Sequence, residues 1–312
     1  MSAIETMDME MVQQPVRDVA QYSTGRLLTW QVKRELWENR SVWIAPAATA
    51  VVMLVLWMFG LVQLLRHPGD SIPQGEAPIV IALNGSWTGT TMLLLFVGLL
   101  VAFFYSLDAL YSERRERNVL FWKSMPVSNA VTVVAKFVVP MVIVPIVTLV
   151  IALVMEVLIL GISIFVLLFL HVGVAGALHA GFFNVVLWTA YWCALSALWY
   201  APIYGFLLLV SVLAPRQPFL LTVVPVLVLM GVEAVTWHTV RLGRFVGHCF
   251  SGVFLMGQDT SSAGFQGMSV DRLLGVLTPG RFFASPHLWA GLVLAGVFVW
   301  LAVQRRRYMP PM

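Results

Sequence analysis

The chain has 312 residues, of which 60% are hydrophobic and only 11% charged, and its mean hydropathy is +0.87. Soluble domains carry about 25% charged residues, so a chain this apolar could not cover a soluble surface, and we expect lipid to be its solvent. The formal charge of +4 does not indicate nucleic-acid binding, because the basic residues stand between apolar runs. The two cysteines, Cys193 and Cys249, define neither a disulfide framework nor a zinc site.

Residues 24–40 form the first predicted element, an amphipathic helix. The polar residues 1–23 before it have no apolar core, which predicts a disordered cytoplasmic tail. Apolar residues recur every four positions along the helix, and charged side chains take most of the remainder. Because the helix leads directly into an apolar run, we expect it to lie in the membrane interface; a simple juxtamembrane anchor is the alternative interpretation. The residues assigned to it are Leu28, Val32, Lys33, Leu36 and Trp37.

Six apolar segments follow, each near the length of about 20 residues that a membrane helix requires. The stretch between Lys136 and Arg216 carries no charge except Glu156. It must hold an even number of crossings if its two ends lie on the same side, and two is the economical count, with the turn at 171–181. The predicted spans are 41–65, 87–107, 137–155 (continuing back to 131), 184–214, 218–232 and 286–303, within a transmembrane domain over 41–304.

The distribution of lysine and arginine predicts the orientation. The larger group of the 19 basic residues lies on the side that carries 17–40, 114–136, 216 and 305–307. Since cytoplasmic loops are enriched in lysine and arginine, we expect both termini to be cytoplasmic, with 305–312 as a second short tail. We therefore predict a multi-pass membrane protein.

The segment 236–285 is the longest piece between two predicted spans. It mixes glycines with short apolar groups, which favours short interfacial or re-entrant helices, since backbone at membrane depth must be buried in protein or line a wet cavity. Two carboxylates, Glu156 and Glu233, stand in or near apolar runs, where burial of a charge costs about 2.5–3.5 kcal/mol. They are either interfacial or paired, or they line an exit pathway. The histidines His238 and His248 lack the spacing of a metal site.

The segment 108–128 holds the densest charge in the chain, followed by a group of aromatic and apolar residues. Pro126 should end a helix there, and Ser128 should cap the next span. The result is a short cytoplasmic helix that could press its aromatic residues into a groove of a partner; a positive-inside loop is the alternative. The candidate contact residues are Glu113, Arg114, Arg115, Arg117, Leu120, Phe121, Trp122 and Lys123.

The run ERRERNVLFWKSMPVSNAVTVVAK, residues 113–136, resembles the cytoplasmic segment of bacterial ABC type-2 transporter permeases. In these proteins a stretch rich in Glu and Arg precedes LFWKS-x-PVS and the T-V-x-x-K start of the third helix. The motif APIYG at 201–205, the helix before the first span, the six spans and the long segment before the last span also fit. The matching residues are Glu113, Arg114, Arg117, Leu120, Phe121, Trp122, Lys123, Ser124, Pro126, Val127, Ser128, Thr132, Val133 and Lys136.

The resemblance implies a non-catalytic permease that works with a separate ATPase. Two ATPase copies would bind ATP and magnesium and push on the segment 113–125 and on the interfacial helix, while two permease protomers, expected as a homodimer in the lipid membrane, would line one pathway. This chain has no G-x-x-x-x-G-K-[ST] phosphate loop. The implied fold is all-α, with six transmembrane helices, an N-terminal interfacial helix, a cytoplasmic coupling helix and a re-entrant or short-helical outer segment.

The resemblance implies export across the cytoplasmic membrane of a bacterial cell. The apolar pathway and the expected absence of buried charge pairs favour a hydrophobic or amphipathic cargo such as a lipid, peptide, antibiotic or glycolipid. Two other classes stay open. A polytopic membrane hydrolase or acyltransferase would need several convergent His, Glu, Asp or Cys side chains, and only isolated ones occur. A secondary transporter would show broken helices in repeated halves and coupling carboxylates within the membrane.

Overall fold

The computed structural model describes residues 24–66, 76–115, 128–169, 171, 174–178, 181–257 and 279–308. Within these ranges the chain forms helices and connecting turns, with no β-strand. The predicted tail 1–23 lies outside the described residues. The helices are α1 Thr24–Glu38, α2 Ser41–Arg66, α3 Glu76–Asp108, α4 Tyr111–Arg115, α5 Asn129–Phe169, α6 Ala175–Leu178, α7 Phe182–Trp199, α8 Ala201–Leu213, α9 Pro218–Trp237, α10 Arg241–Gly257, α11 Pro279–Phe283 and α12 Pro286–Tyr308.

Six helical segments are long and apolar enough to cross a membrane, as the sequence predicts. They contain α2, α3 with α4, α5, α7, α9 and α12. Many large apolar side chains on these helices are exposed, which suits a surface in contact with lipid. The protein is therefore an all-helical, multi-pass membrane protein.

The third span is longer than predicted, and it contains a π-helical turn near its start. Helix α5 begins after Ser128, whose Oγ accepts a hydrogen bond from the Val131 amide at 3.3 Å, as expected for a cap. Residues Val139–Ile143 form a π-helical turn that contains Pro140. Proline has no amide hydrogen to donate, so the regular hydrogen-bond ladder cannot continue through it, and the turn widens at this point.

The fourth span consists of two helices and not of the one long helix expected over 184–214. Helix α7 ends at Trp199 and α8 begins at Ala201, with Tyr200 between them. Pro202 stands in the first turn of α8, where a missing amide hydrogen is tolerated, whereas the interior of a continuous helix would have lost a hydrogen bond there. Trp199 and Tyr200, the two residues at the break, form hydrogen bonds with α10.

Helix α10 packs against this break through two side-chain hydrogen bonds. Trp199 Nε1 donates to the Cys249 carbonyl at 2.9 Å, and the Tyr200 hydroxyl donates to the Phe250 carbonyl at 2.7 Å. Phe282 of α11 is fully buried, and its ring centroid lies 6.0 Å from that of Trp199. The described parts of 236–285 thus contain two helices, α10 and α11, and α10 packs against the fourth span.

Two groups of buried side chains hold the bundle together. One is built around Trp188, Trp192, Trp199 and Tyr204 of α7 and α8 and joins α2, α3, α5 and α12. The other surrounds Trp87 of α3 and joins α2, α3, α5 and α7. Together these groups fix the spans next to one another, and they position the polar residues described next.

Candidate functional site

Four charged side chains from four elements meet at one end of the bundle. Lys136 of α5 lies between two carboxylates: its Nζ is 2.8 Å from Glu35 Oε1 of α1 and 3.3 Å from Glu113 Oε1 of α4. Arg306 of α12 is the fourth charged residue, and its Nη2 lies 2.8 Å from Glu113 Oε2. We call these four residues the ion network and the end of the bundle that carries them the network end.

The ion network is buried and largely satisfied, so the expectation that the chain has no buried charge pairs was wrong. Glu35 is only 1% exposed and Lys136 only 3%. The second oxygen of Glu35 accepts hydrogen bonds from the Tyr105 hydroxyl at 2.8 Å and from Asn39 Nδ2 at 3.4 Å. Two negative and two positive charges balance one another, which is the condition under which buried charges are tolerated.

Contacts at the network end show the direction in which the spans run. The ion network joins the helix that precedes α2, the end of α3 with α4, the start of α5 and the end of α12. Arg114 donates to the carbonyls of Val212 and Ala214, which end the fourth span. Two crossings therefore lie between the network end of α5 and the end of α8, as the charge-free stretch predicted.

Helix α4 is tied to the fourth span by a second set of bonds. Ser211 Oγ accepts hydrogen bonds from the Leu110 amide at 3.1 Å and from the Tyr111 amide at 2.9 Å. Together with the Arg114 bonds, these contacts hold the start of the segment 108–128 rigidly on α8. A push on this segment would reach α5, α8 and α12 through direct polar contacts.

The predicted contact residues separate into two sets. Glu113 is buried and Arg114 half-buried, and both bond within the chain, whereas Arg115 is exposed. The other five, Arg117, Leu120, Phe121, Trp122 and Lys123, lie outside the described residues. Their contact with an ATPase stays a prediction.

The predicted interfacial helix lies against the bundle on its polar side as well as its apolar one. Leu28, Val32 and Leu36 are half-buried, and Leu36 packs against the core. Lys33 is exposed, and so is Trp37, at 81%. The side chains that α1 buries most deeply are Gln31 and Glu35, because Glu35 pairs with Lys136.

Glu156 lies inside the bundle, about 30 Å along α5 from Lys136 by helical rise. It is 1% exposed, and its Oε1 accepts hydrogen bonds from Thr189 of α7 and, at 3.3 Å, from Thr91 of α3. Trp87 Nε1 donates to its backbone carbonyl at 3.2 Å. The carboxyl group is thus held between three spans and does not face solvent, and its part in a pathway stays a prediction.

Glu233 near the end of α9 caps the following helix. Its Oε1 accepts hydrogen bonds from the Arg241 amide at 2.7 Å and the Thr239 hydroxyl at 2.8 Å, and Oε2 accepts from the Leu242 amide at 2.8 Å. The first amides of a helix have no partner within it, so a carboxylate there stabilises the helix start. The structure places Glu233 in the paired arrangement that the sequence left as one alternative.

We expect Glu233→Ala to loosen the start of α10 without unfolding the bundle, because three donors lose their acceptor at the surface. Hydrogen exchange followed by mass spectrometry should show faster exchange of the amides of Arg241 and Leu242, with α12 unchanged. Glu38→Ala is the matched control, since Glu38 is exposed and pairs with Arg34 on α1, far from α10 in the sequence. Equal exchange in both variants would contradict the capping role.

Among the described residues no group of three His, Cys, Asp or Glu side chains could hold a metal ion. His238 and His248 fall within this part of the chain and do not converge on such a group.

The fold and the network end define a polytopic helical membrane protein whose terminal helices are joined to its spans by buried charges. Comparisons with protein-family models, with curated protein sequences and with solved structures found no match.

Proposed function

We propose that the chain is the permease subunit of an ATP-driven ABC exporter and that a separate ATPase energises it. The observation that carries the proposal is the ion network, since it joins α1 and the start of the segment 108–128 to two spans, α5 and α12. These two elements are the ones that the resemblance assigns to the ATPase. Buried ion pairs that lock one geometry make a stiff connection, which transmission of force requires.

The remaining parts of the proposal follow from this assignment. The network end faces the cytoplasm of a bacterial cell, which agrees with the basic residues clustered there. Two copies of the chain line one pathway above two ATPases. The cargo is hydrophobic or amphipathic and leaves the cytoplasmic leaflet. The helix α1 lies in the membrane interface, and α10 is the re-entrant element.

The proposal is tested by co-purification of the tagged chain with the ATPase encoded beside it, in detergent, with ATP hydrolysis measured. Phe121→Ala combined with Trp122→Ala should reduce the amount of bound ATPase about tenfold, since aromatic anchors dominate such contacts. The matched control combines Phe183→Ala with Trp237→Ala, two side chains exposed away from the network end.

The control pair should retain the ATPase at the level of the unmodified chain. If no ATPase associates, or if hydrolysis is indifferent to the chain, the permease proposal fails and a membrane enzyme becomes the hypothesis to test. If both double variants lose the ATPase equally, the segment 108–128 is not its specific contact.

A further inference from the structure

A cavity of about 420 Å³ lies at the end of the bundle opposite the ion network, between α8, α10 and α12. Most of it is lined by apolar side chains such as Phe206, Leu294 and Phe298, while His248 and His287 line its mouth. Phe206 and Leu294 are 38% and 46% exposed, so the cavity also opens onto the surface of the bundle. The cavity is therefore apolar along most of its length and polar at one end.

The break between α7 and α8 shapes this cavity. Trp199, the last residue of α7, donates to the Cys249 carbonyl and so fixes α10 on the fourth span as one wall of the cavity. Helices α8 and α12 are in direct contact beside the cavity: a Cβ on Gly291 would lie 3.4 Å from Pro202 Cγ, and a Cβ on Gly205 would lie 3.1 Å from the Ala295 carbonyl oxygen. The cavity is walled by α8, α10 and α12.

The dimensions of the cavity match a single acyl chain. From His287 to Phe298, eleven residues of α12 cover about 16 Å of helical rise, which is half of the roughly 30 Å hydrocarbon core. An apolar cavity of roughly 150 Å³ takes one benzene, so a volume of about 420 Å³ takes one chain and not two. It also falls within the range of about 300–1,000 Å³ typical of ligand sites.

The mouth of the cavity offers donors and positive charge. The imidazoles of His248 and His287 face each other, with ring centroids 6.1 Å apart. The described residues 238–257 and 279–287 contain three arginines and no carboxylate, and Arg244 stands one turn before His248 on α10. The nearby Glu233 already accepts three hydrogen bonds. An anionic headgroup would thus meet donors, and the described residues of these two ranges offer no carboxylate to compete with it.

We propose that this cavity binds one acyl chain of an anionic phospholipid from the leaflet opposite the network end, with the lipid phosphate on His248 and His287. Phosphate oxygens accept hydrogen bonds from both imidazoles, the chain fills the apolar part, and the second chain stays in the bilayer. The site does not require an ATPase partner. The bound acyl chain fills the space between α10, α8 and α12 and so sets the spacing of these helices.

The test is native mass spectrometry of the full chain in detergent, with phosphatidylglycerol and phosphatidylcholine of the same acyl chains added in turn. The wild-type protein should retain one phosphatidylglycerol more tightly than phosphatidylcholine. Ala290→Trp fills the cavity, because Ala290 lines it, and should reduce retention of phosphatidylglycerol about tenfold. His248→Ala combined with His287→Ala should abolish the preference for the anionic lipid while retention of phosphatidylcholine stays unchanged.

Val293→Trp is the matched control on the same helix, since Val293 is 70% exposed and does not line the cavity. It should bind lipid as the wild type does. Leu294→Trp is a second filling variant in case Ala290→Trp fails to fold. Equal retention in the filling variants and in Val293→Trp would overturn the proposal, because the lipid would then be a member of the general lipid shell. A wild-type protein without preference for the anionic lipid would overturn it too.

Discussion

Lys136→Met is expected to destabilise the folded protein by about 3–5 kcal/mol, the usual effect of removing one partner from a buried ion pair. The substitution removes the cation that lies between Glu35 and Glu113 and leaves two buried carboxylates, of which only Glu113 keeps a positive partner, Arg306. Thermal unfolding in detergent, followed by size-exclusion chromatography with fluorescence detection, measures the loss.

Lys33→Met is the matched control for this variant. Lys33 is exposed on α1, where its Nζ lies 5.7 Å from the centroid of the Trp30 ring. An exposed cation of this kind contributes about 0.5–1 kcal/mol at most, so the control should unfold close to the wild type. Similar losses in both variants would mean that Lys136 is not held in a buried network.

A double variant separates the charge effect from the loss of packing. Glu35→Met combined with Lys136→Met removes one negative and one positive charge and leaves the neutral pair of Glu113 and Arg306. The double variant should be more stable than Lys136→Met alone, although Tyr105 loses its acceptor. Glu35→Met alone completes the comparison. If the loss of stability in the double variant equals the sum of the losses in Glu35→Met and Lys136→Met, then Glu35 and Lys136 do not interact energetically.

The positions of the spans could be predicted because length and hydropathy decide them directly. The ion network could not be predicted as a set, since partners within it, such as Glu113 and Arg306, are separated by up to 193 positions along the chain. One signal was present: Lys136 interrupts an apolar run, and a lysine there requires a carboxylate partner. Glu35 gave no comparable signal, because a charged residue on an amphipathic helix normally faces water, whereas here it is 1% exposed.

The form of the break in the fourth span could not be predicted, for a different reason. A proline in an apolar stretch is compatible both with a kinked membrane helix and with a new helix start, because neighbouring helices can satisfy the freed carbonyl groups. Tertiary contacts decide between a kinked helix and a new helix start here. Trp199 and Tyr200 donate hydrogen bonds to carbonyl groups of α10, 50 positions further along the chain. No local pattern around Pro202 carries that information.

The second large effect is expected at Gly252, where α10 passes over Trp199. A Cβ on Gly252 would lie 2.3 Å from Trp199 Cζ2 and 3.1 Å from Cε2. The ring has little freedom to move, because its Nε1 is bonded to the Cys249 carbonyl and its faces meet Phe282 and His248. Gly252→Ala should therefore lower stability by about 1–3 kcal/mol, the usual range for overpacking a buried contact.

Gly247→Ala, one and a half turns earlier on α10, gives the matched comparison. No described atom lies within 4 Å of a Cβ at that position, and alanine is preferred over glycine in a helix by about 0.5–1 kcal/mol. The two glycine-to-alanine changes should thus shift thermal unfolding in detergent in opposite directions. Hydrogen exchange should rise along α10 in Gly252→Ala alone. A stabilised Gly252→Ala protein would mean that α10 does not rest on Trp199, and the wall that this helix gives the apolar cavity would lose its anchor.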